Sequence, residues 1–287
     1  MIGTLSSVRA TKPPPPLPSK PARDYLSYSA ITTYQGCPLR YYFRYVAGLP
    51  EKTVSSSLVF GSAVHRAVEH HFNELMAGNE PPTLDALVGE YDRHWSESDP
   101  QAVQFGKDDD IESLGRLATK MFAAFQTSSL ATPTGRIIGV EEELRGNVIA
   151  GCPDLLGRVD LIVETAEELM VTDLKTSRAR WSRDQADESA GQLLLYHELV
   201  RNFAPRKRVR LQFAVLTKTK EPAVDLHEVA ADRRAVDRTK HIFERVWNAI
   251  DRQVFYPAPS PLQCPGCSFR EQCRRWPDTT GSQERTT

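Results

Sequence analysis

Asp160, Asp173 and Lys175 are the residues whose types and spacing most directly suggest chemistry; they stand in Gly157-Arg-Val-Asp160 and Val171-Thr-Asp173-Leu-Lys175. Asp173 and Lys175 are two apart, so on a β-strand both side chains point to one face. Asp160 lies on the preceding apolar segment, and a hairpin would bring it beside Asp173. Two carboxylates a few ångströms apart repel unless a cation sits between them. Hard oxygen ligands of this kind suit Mg2+ or Mn2+. An ammonium group next to such an ion can hold a phosphate or orient water. The triplet Asp-x-Lys is common by itself, and at a strand end its side chains can simply be solvated.

Other residues add to this set. Gln192 and Tyr196 are four apart and share a helix face. His65 flanks the apolar stripe of a long helix, where a surface or half-buried histidine would be equally ordinary. Five cysteines are present, and three of them form Cys264-x2-Cys267-x5-Cys273. Two cysteines three apart in a tight Pro-Gly turn can aim both sulfurs at one metal centre, and three such ligands require a fourth. The first ten residues lack the continuous apolar stretch of a secretory leader, so a cytoplasmic location is expected and disulfides are not. Cys152 reads as a small strand residue outside the set.

The elements that must position these groups follow from periodicity. Ser29 can cap a short helix through Gln35, and Pro38 suits the first turn of a second helix ending near Gly48. From Gly61 to Met76 the apolar residues Val64, Ala67, Val68, Phe72, Leu75 and Met76 recur in steps of three and four, which predicts an amphipathic helix. Two more helices fit 83–96 and 110–128. The period then changes. Residues 135–144, 155–164, 169–175, 208–217 and 223–229 are rich in Val, Ile and Leu and read as strands. A helix is predicted over 184–203 and a last one over 232–254. A turn at 165–167 would make the strands of Asp160 and Asp173 antiparallel neighbours.

The composition bounds the rest. The 287 residues carry 36 Lys and Arg against 37 Asp and Glu, which excludes a uniformly basic coat protein but not a basic cleft on a neutral body. Ten of the cations are lysine and 26 are arginine. That bias permits a phosphate-binding groove, and a GC-rich coding sequence would produce it too. A hydrophobic fraction of 40% supplies a core. No apolar run approaches the ~18–20 residues that span a bilayer, so no membrane association is expected. Residues 1–24, with Pro13–Pro16, and 279–287 read as mobile tails around one domain, 25–278.

The sequence resembles the PD-(D/E)XK nucleases of the RecB and AddB type and the CRISPR-associated adaptation exonucleases, from about Ser29 to Cys273. The resemblance implies an α/β, restriction-endonuclease-like fold: a mixed β-sheet flanked by helices, with a helical first half and a stapled carboxyl end. It matches His65, Asp160 and Asp173, with the backbone carbonyl of Leu174, to the family's divalent-metal ligands. Lys175 matches the catalytic lysine, and Gln192 and Tyr196 the family's Gln-xxx-Tyr motif near the DNA. Glu141 matches a recurrent upstream acid, with Glu142 and Glu143 as alternatives. The implied activity is metal-dependent cleavage of DNA, at ends or in single strands, in repair, recombination or defence. Beside it stands a dormant, DNA-binding subunit of a helicase or CRISPR-adaptation-type complex. Iron–sulfur members place one cysteine far upstream, which matches Cys37, so Cys37, Cys264, Cys267 and Cys273 are expected to hold a 4Fe–4S cluster. Zn2+ is the chemical alternative. Tyr41, Tyr42 and Tyr45, with Arg40 and Arg44, could stack on single-stranded DNA or pack around the cluster.

Overall fold

The computed structural model describes residues 23–107 and 109–276. The expected tails at 1–24 and 279–287 lie outside the described residues, save Arg23 and Asp24. The elements are, in order, β1 Tyr25–Leu26, α1 Tyr28–Gly36, α2 Pro38–Tyr41, β2 Val54–Ser55, α3 Ser56–Met76, α4 Leu84–Ser96, β3 Val103–Gln104 and α5 Ile111–Gln126. They continue as β4 Arg136–Gly146, β5 Asp154–Glu164, β6 Glu168–Ser177, α6 Arg183–Ser189, α7 Gly191–Phe203, β7 Arg208–Thr217, β8 Val224–Val229, α8 Arg233–Asp251 and α9 Arg270–Arg274. Among the described residues no helix is long and apolar enough to cross a membrane.

The five predicted strands are present, and the helices differ in instructive ways. Ser27, not Ser29, caps α1, its Oγ accepting from the Ala30 N–H. The second helix is α-helical only to Tyr41 and then widens into a π turn, Tyr42–Val46. Helix α3 begins well before Gly61 because the Ser55 hydroxyl accepts from the Leu58 N–H. Gly61 stays inside it and allows a close approach to β6: a Cβ there would sit 3.3 Å from Thr176 Oγ1. The single helix predicted over 184–203 is two. Ala190 donates back only three residues, to the Asp187 carbonyl. At Gly191 a side chain would come within 3.2 Å of the Tyr28 ring.

The sheet runs β1-β5-β6-β7-β8, with β4 on the other side of β5. Parallel β6–β7 pairing along the full length of β6 sits between antiparallel β5–β6 and β7–β8 pairs, so the sheet is mixed. Strand β6 pairs with β5 only over residues 161–164, while β1 pairs with β5 at Asp154 and Leu155. Between them β5 is open along 156–160. Helices α1, α7 and α8 cover one face with Leu193, Leu199 and Phe243. Helices α3, α4 and α5 cover the other with Phe60, Phe72 and Phe122. A small third core joins Leu39, Tyr42 and Phe43 to Phe269 near the carboxyl end.

One alternative is decided and one expectation corrected here. Of the two readings of Tyr41, Tyr42 and Tyr45, the structure takes packing: they are between 3% and 9% exposed and lie against one another, Phe255 and Trp276. Cys152 is buried but lies in the loop between β4 and β5, not in a strand. The left-handed Gly151 (φ 78°) turns the chain there, and Pro153 cannot donate to a ladder.

Gly157 lies in the open stretch of β5. An added Cβ would stand 2.6 Å from the Tyr196 ring, which is locked in the core. At Gly146 the same atom would make an ordinary 3.5 Å contact with Leu199. Gly157→Ala is therefore expected to lower the unfolding free energy by about 1–3 kcal/mol, the usual cost of overpacking, and Gly146→Ala to have a smaller effect. Urea denaturation of both variants checks this.

Candidate active site

The open stretch of β5 ends at Asp160, where β5 and β6 part. One residue earlier in the ladder, Leu161 still pairs with Thr172. Beyond it the Leu174 N–H donates to Asp160 Oδ2 at 2.6 Å, so the carboxylate occupies the place of a ladder carbonyl. The Leu174 backbone also faces His65 and opposes the lowering of its pKa. His65 Nδ1 lies 3.9 Å from Asp160 Oδ2.

Glu141 completes the group. It lies across from Asp160, between the pairs Val140–Leu161 and Glu142–Val159. Its φ of 50° is left-handed, rare for a non-glycine residue and typical of a functional position. His65, Glu141 and Asp160 each offer a ligand atom within 4.8 Å of the others. The geometry thus selects Glu141 from the run Glu141–Glu143. Sequence alone left that choice open, because β4 alternation puts Glu141 and Glu143 on one face. The usable signal was the register opposite Asp160.

Asp173 and Lys175 project to the other side of β6, as their spacing required. Asp173 is 1% exposed, and Lys175 Nζ lies 2.6 Å from its Oδ2. Lys175 also donates to Gln192 Oε1 at 2.9 Å, and Gln192 Nε2 donates to the Tyr196 hydroxyl at 2.8 Å. The sequence therefore paired Gln192 and Tyr196 on the right face, and they form a chain behind Lys175. Asp173 is not part of the tight His65–Glu141–Asp160 group; its partner is the lysine. Lys175, Leu174, Asp160, Glu141 and His65 line one cleft of about 520 Å³, whereas Asp173, Gln192 and Tyr196 stand behind its wall.

Burial, then the nearby Asp173 and Glu141, push the Asp160 carboxyl well above the usual range; the Leu174 N–H and Lys175 oppose them. Glu141 is raised by burial and by Glu69, against Arg158 and Arg66. Asp173 is raised by burial, against Lys175. His65 is lowered to about 4 by burial and Lys175, so it is a neutral donor of a lone pair. Like charges 4 Å apart cost about 4 kcal/mol at an effective dielectric of 20. Lys175 answers Asp173, and Arg158 approaches Glu141 at 3.9 Å. Among the described residues Asp160 has no ion pair with a lysine or arginine, only the His65 ring at 3.9 Å. A half-buried carboxylate pair with a neutral imidazole suits a divalent cation.

The sequence profile of the PD-(D/E)XK nuclease superfamily matches residues 25–274. The chain belongs to that superfamily. None of the curated proteins matches it. Among solved structures, a protein from Eubacterium rectale provisionally named an exonuclease aligns with a TM-score of 0.59 over 90% of each chain, at 15% identity. It shares the fold. The structure of SSO0001 aligns over 87% of this chain and 96% of its own at 14% identity, with a TM-score of 0.36, too low to bear on the fold.

The raised carboxyls set the sign of a stability effect. They are protonated in the fold at pH values where the unfolded chain has already lost those protons. Without metal, stability is therefore expected to fall as pH rises from the ordinary carboxylate range through the raised values. Asp160→Asn keeps an acceptor for the Leu174 N–H and removes the charge. In EDTA it should melt above the wild type at neutral pH. Added Mn2+ should raise the melting temperature of the wild type and leave the variant unmoved; differential scanning calorimetry reads both.

Proposed function

We propose that the protein is a metal-dependent DNA nuclease that hydrolyses phosphodiester bonds. The observation that carries this reading is the convergence of His65, Glu141 and Asp160 on one point of a cleft whose wall also holds Lys175. These three side chains would hold Mg2+ or Mn2+; the resemblance adds the Leu174 carbonyl and Asp173, whose carboxylate here pairs with Lys175. The ion supplies Lewis acidity toward the phosphate and toward water.

The chain's own groups do the rest. Lys175 places a fixed positive charge at the scissile phosphate and stabilises the charge that grows on its oxygens as water attacks. Asp173 and Gln192 hold that ammonium group in place, and Tyr196 holds Gln192. The Leu174 N–H fixes the Asp160 carboxylate. Preference for DNA over RNA, and for ends over internal sites, rests on resemblance to the RecB-type exonucleases.

A second cofactor belongs to the same proposal. Cys37, Cys264, Cys267 and Cys273 line one cavity of about 220 Å³. Burial pushes the Cys273 thiol up, and the other three sulfurs add to the shift. The Ser260 N–H donates to Cys264 Sγ at 3.3 Å. Arg40, which also lines the cavity, has its Nε buried without a partner. Four thiolates around one cavity could hold a 4Fe–4S cluster or a single zinc ion, and the resemblance to iron–sulfur members of the family favours the cluster. Its role is to staple residue 37 to the carboxyl end.

Purified protein is expected to cut linear or single-stranded DNA with Mg2+ or Mn2+ and to stop on addition of EDTA. Lys175→Ala should lose about 10²-fold in rate or more, as for removal of one charge-stabilising group. Cutting that persists in EDTA would overturn the reading. Protein purified without oxygen should be brown and contain about four irons per chain. Cys37→Ser should bleach it and cost on the order of 3 kcal/mol of stability, as loss of a long-range cross-link does. Cys152→Ser should change neither colour nor iron. Colourless protein with stoichiometric zinc would reject the cluster.

A further inference from the structure

On the opposite wall of the cleft stands a second series of polar side chains that the metal and phosphate groups do not use. Ser62 lies one turn before His65 on α3, on the same side of the helix. Its Oγ is 2.9 Å from Nε2 of His94, near the end of α4. His94 Nδ1 is 3.4 Å from Glu97 Oε2. Glu97 Oε1 accepts from Arg93 at 3.0 Å, which fixes the carboxylate. Ser62 and His94 line the same cleft as His65, Glu141, Asp160 and Lys175.

A hydroxyl–imidazole–carboxylate series has the order of a proton-transfer relay. It is not built as an acyl-transfer triad. Ser62 lies within a continuous helix, where backbone N–H groups are spent on the helix's own carbonyls, so no oxyanion-binding pair stands beside it. Of the groups already placed, Lys175 is held by Asp173 and Gln192 and the Asp160 carboxyl by the Leu174 N–H, whereas Ser62 and His94 stand on the facing wall of the same cleft with a hydroxyl and an imidazole free of that task.

We propose that Ser62, His94 and Glu97 deliver a proton to the leaving oxygen of the phosphodiester. This rests on the nuclease reading above. As the bond from phosphorus to the leaving oxygen breaks, Ser62 Oγ–H gives its proton to that oxygen. The His94 imidazolium passes its Nε2 proton to Ser62 Oγ and becomes neutral. Water bonds to phosphorus and releases one proton to solvent, from which His94 is later recharged. The products are one phosphomonoester and one alcohol. Ser62 touches the reacting oxygen; His94 and Glu97 are positioning residues that act through it. The charged groups that line the cleft with His94 are Arg66 and Glu69 on α3 and Glu141 and Arg158 across it, while Arg93 on α4 and Glu97, just past its end, stand beside the imidazole.

The test compares ordinary DNA with DNA carrying one bridging sulfur at the scissile linkage, at either the 3′ or the 5′ bridging position, in Mg2+. A thiolate leaves without a proton donor. His94→Gln and Ser62→Ala should cut ordinary DNA about 10²-fold more slowly, the usual contribution of a general acid. On the substrate whose sulfur is the leaving atom, both should match the wild type. Glu97→Gln, a change at an exposed side chain that cannot unfold the protein, should show a smaller loss with the same sulfur rescue. Equal losses on oxygen and on both sulfur substrates would overturn the proposal in favour of a purely structural tie between α3 and α4. Full activity of the variants on ordinary DNA would overturn it too. Failure of the wild type to cut any of the substrates would overturn the nuclease reading, and this inference with it.

Discussion

Where β5 and β6 part, the Leu174 N–H would be an unpaired donor in a half-buried place, and such a group costs free energy comparable to a lost hydrogen bond. Asp160 meets that need with one carboxylate oxygen at 2.6 Å. The site depends on this contact. It takes over where the β5–β6 ladder stops at Leu161 and holds an anion at the parting. It also brings Asp160 level with Glu141 on the neighbouring strand. A single hydrogen bond thus couples the shape of the sheet to the charge of the cleft. The left-handed backbone of Glu141 is the strain that accompanies it.

Behind the sheet a second polar series runs inward from the cleft: Asp173, Lys175, Gln192, Tyr196. Burying so many polar groups is unfavourable unless each is paired; here Lys175 meets Asp173 as an ion pair and bonds Gln192, and Gln192 bonds Tyr196. Burial and Asp173 push the Tyr196 phenol up, so it stays neutral and serves as a hydrogen-bonding post. Room for its ring exists because position 157 has no side chain. The lysine is consequently a fixed charge rather than a mobile one, as electrostatic stabilisation of a transition state demands.

The ends of the described chain meet at the third core. Leu39 donates to the Tyr256 carbonyl at 3.0 Å, and Ser268 Oγ donates to the Thr53 carbonyl at 3.2 Å. Thr53 stands just before β2 and α3. The carboxyl-terminal cysteine segment therefore braces the approach to the helix that carries Ser62, His65 and Glu69. Closing so long a loop by protein contacts alone carries a large entropy cost, and a small aromatic core beside the four cysteines offsets part of it.

Much of this was legible in the sequence. Short segments rich in Val, Ile and Leu located the strands, since β-branched and aliphatic residues favour the extended backbone locally. The two-residue step from Asp173 to Lys175 and the four-residue step from Gln192 to Tyr196 set which side chains share a face, since the periods of strand and helix are local properties of the backbone. The composition of Cys264-Pro-Gly-Cys267 announced a turn that gathers sulfurs. What local pattern does not hold is where a ladder stops. Only the tertiary structure decided that β6 leaves β5 at Leu161, that Glu141 rather than Glu143 turns toward Asp160, and that Asp173 pairs with Lys175. Those outcomes depend on contacts between strands, on a left-handed residue and on charges brought together by burial. Likewise the aromatic run at Tyr41–Tyr45 could have served a surface or a core equally well by sequence. Phe255, Phe269 and Trp276, arriving from the far end of the chain, buried it.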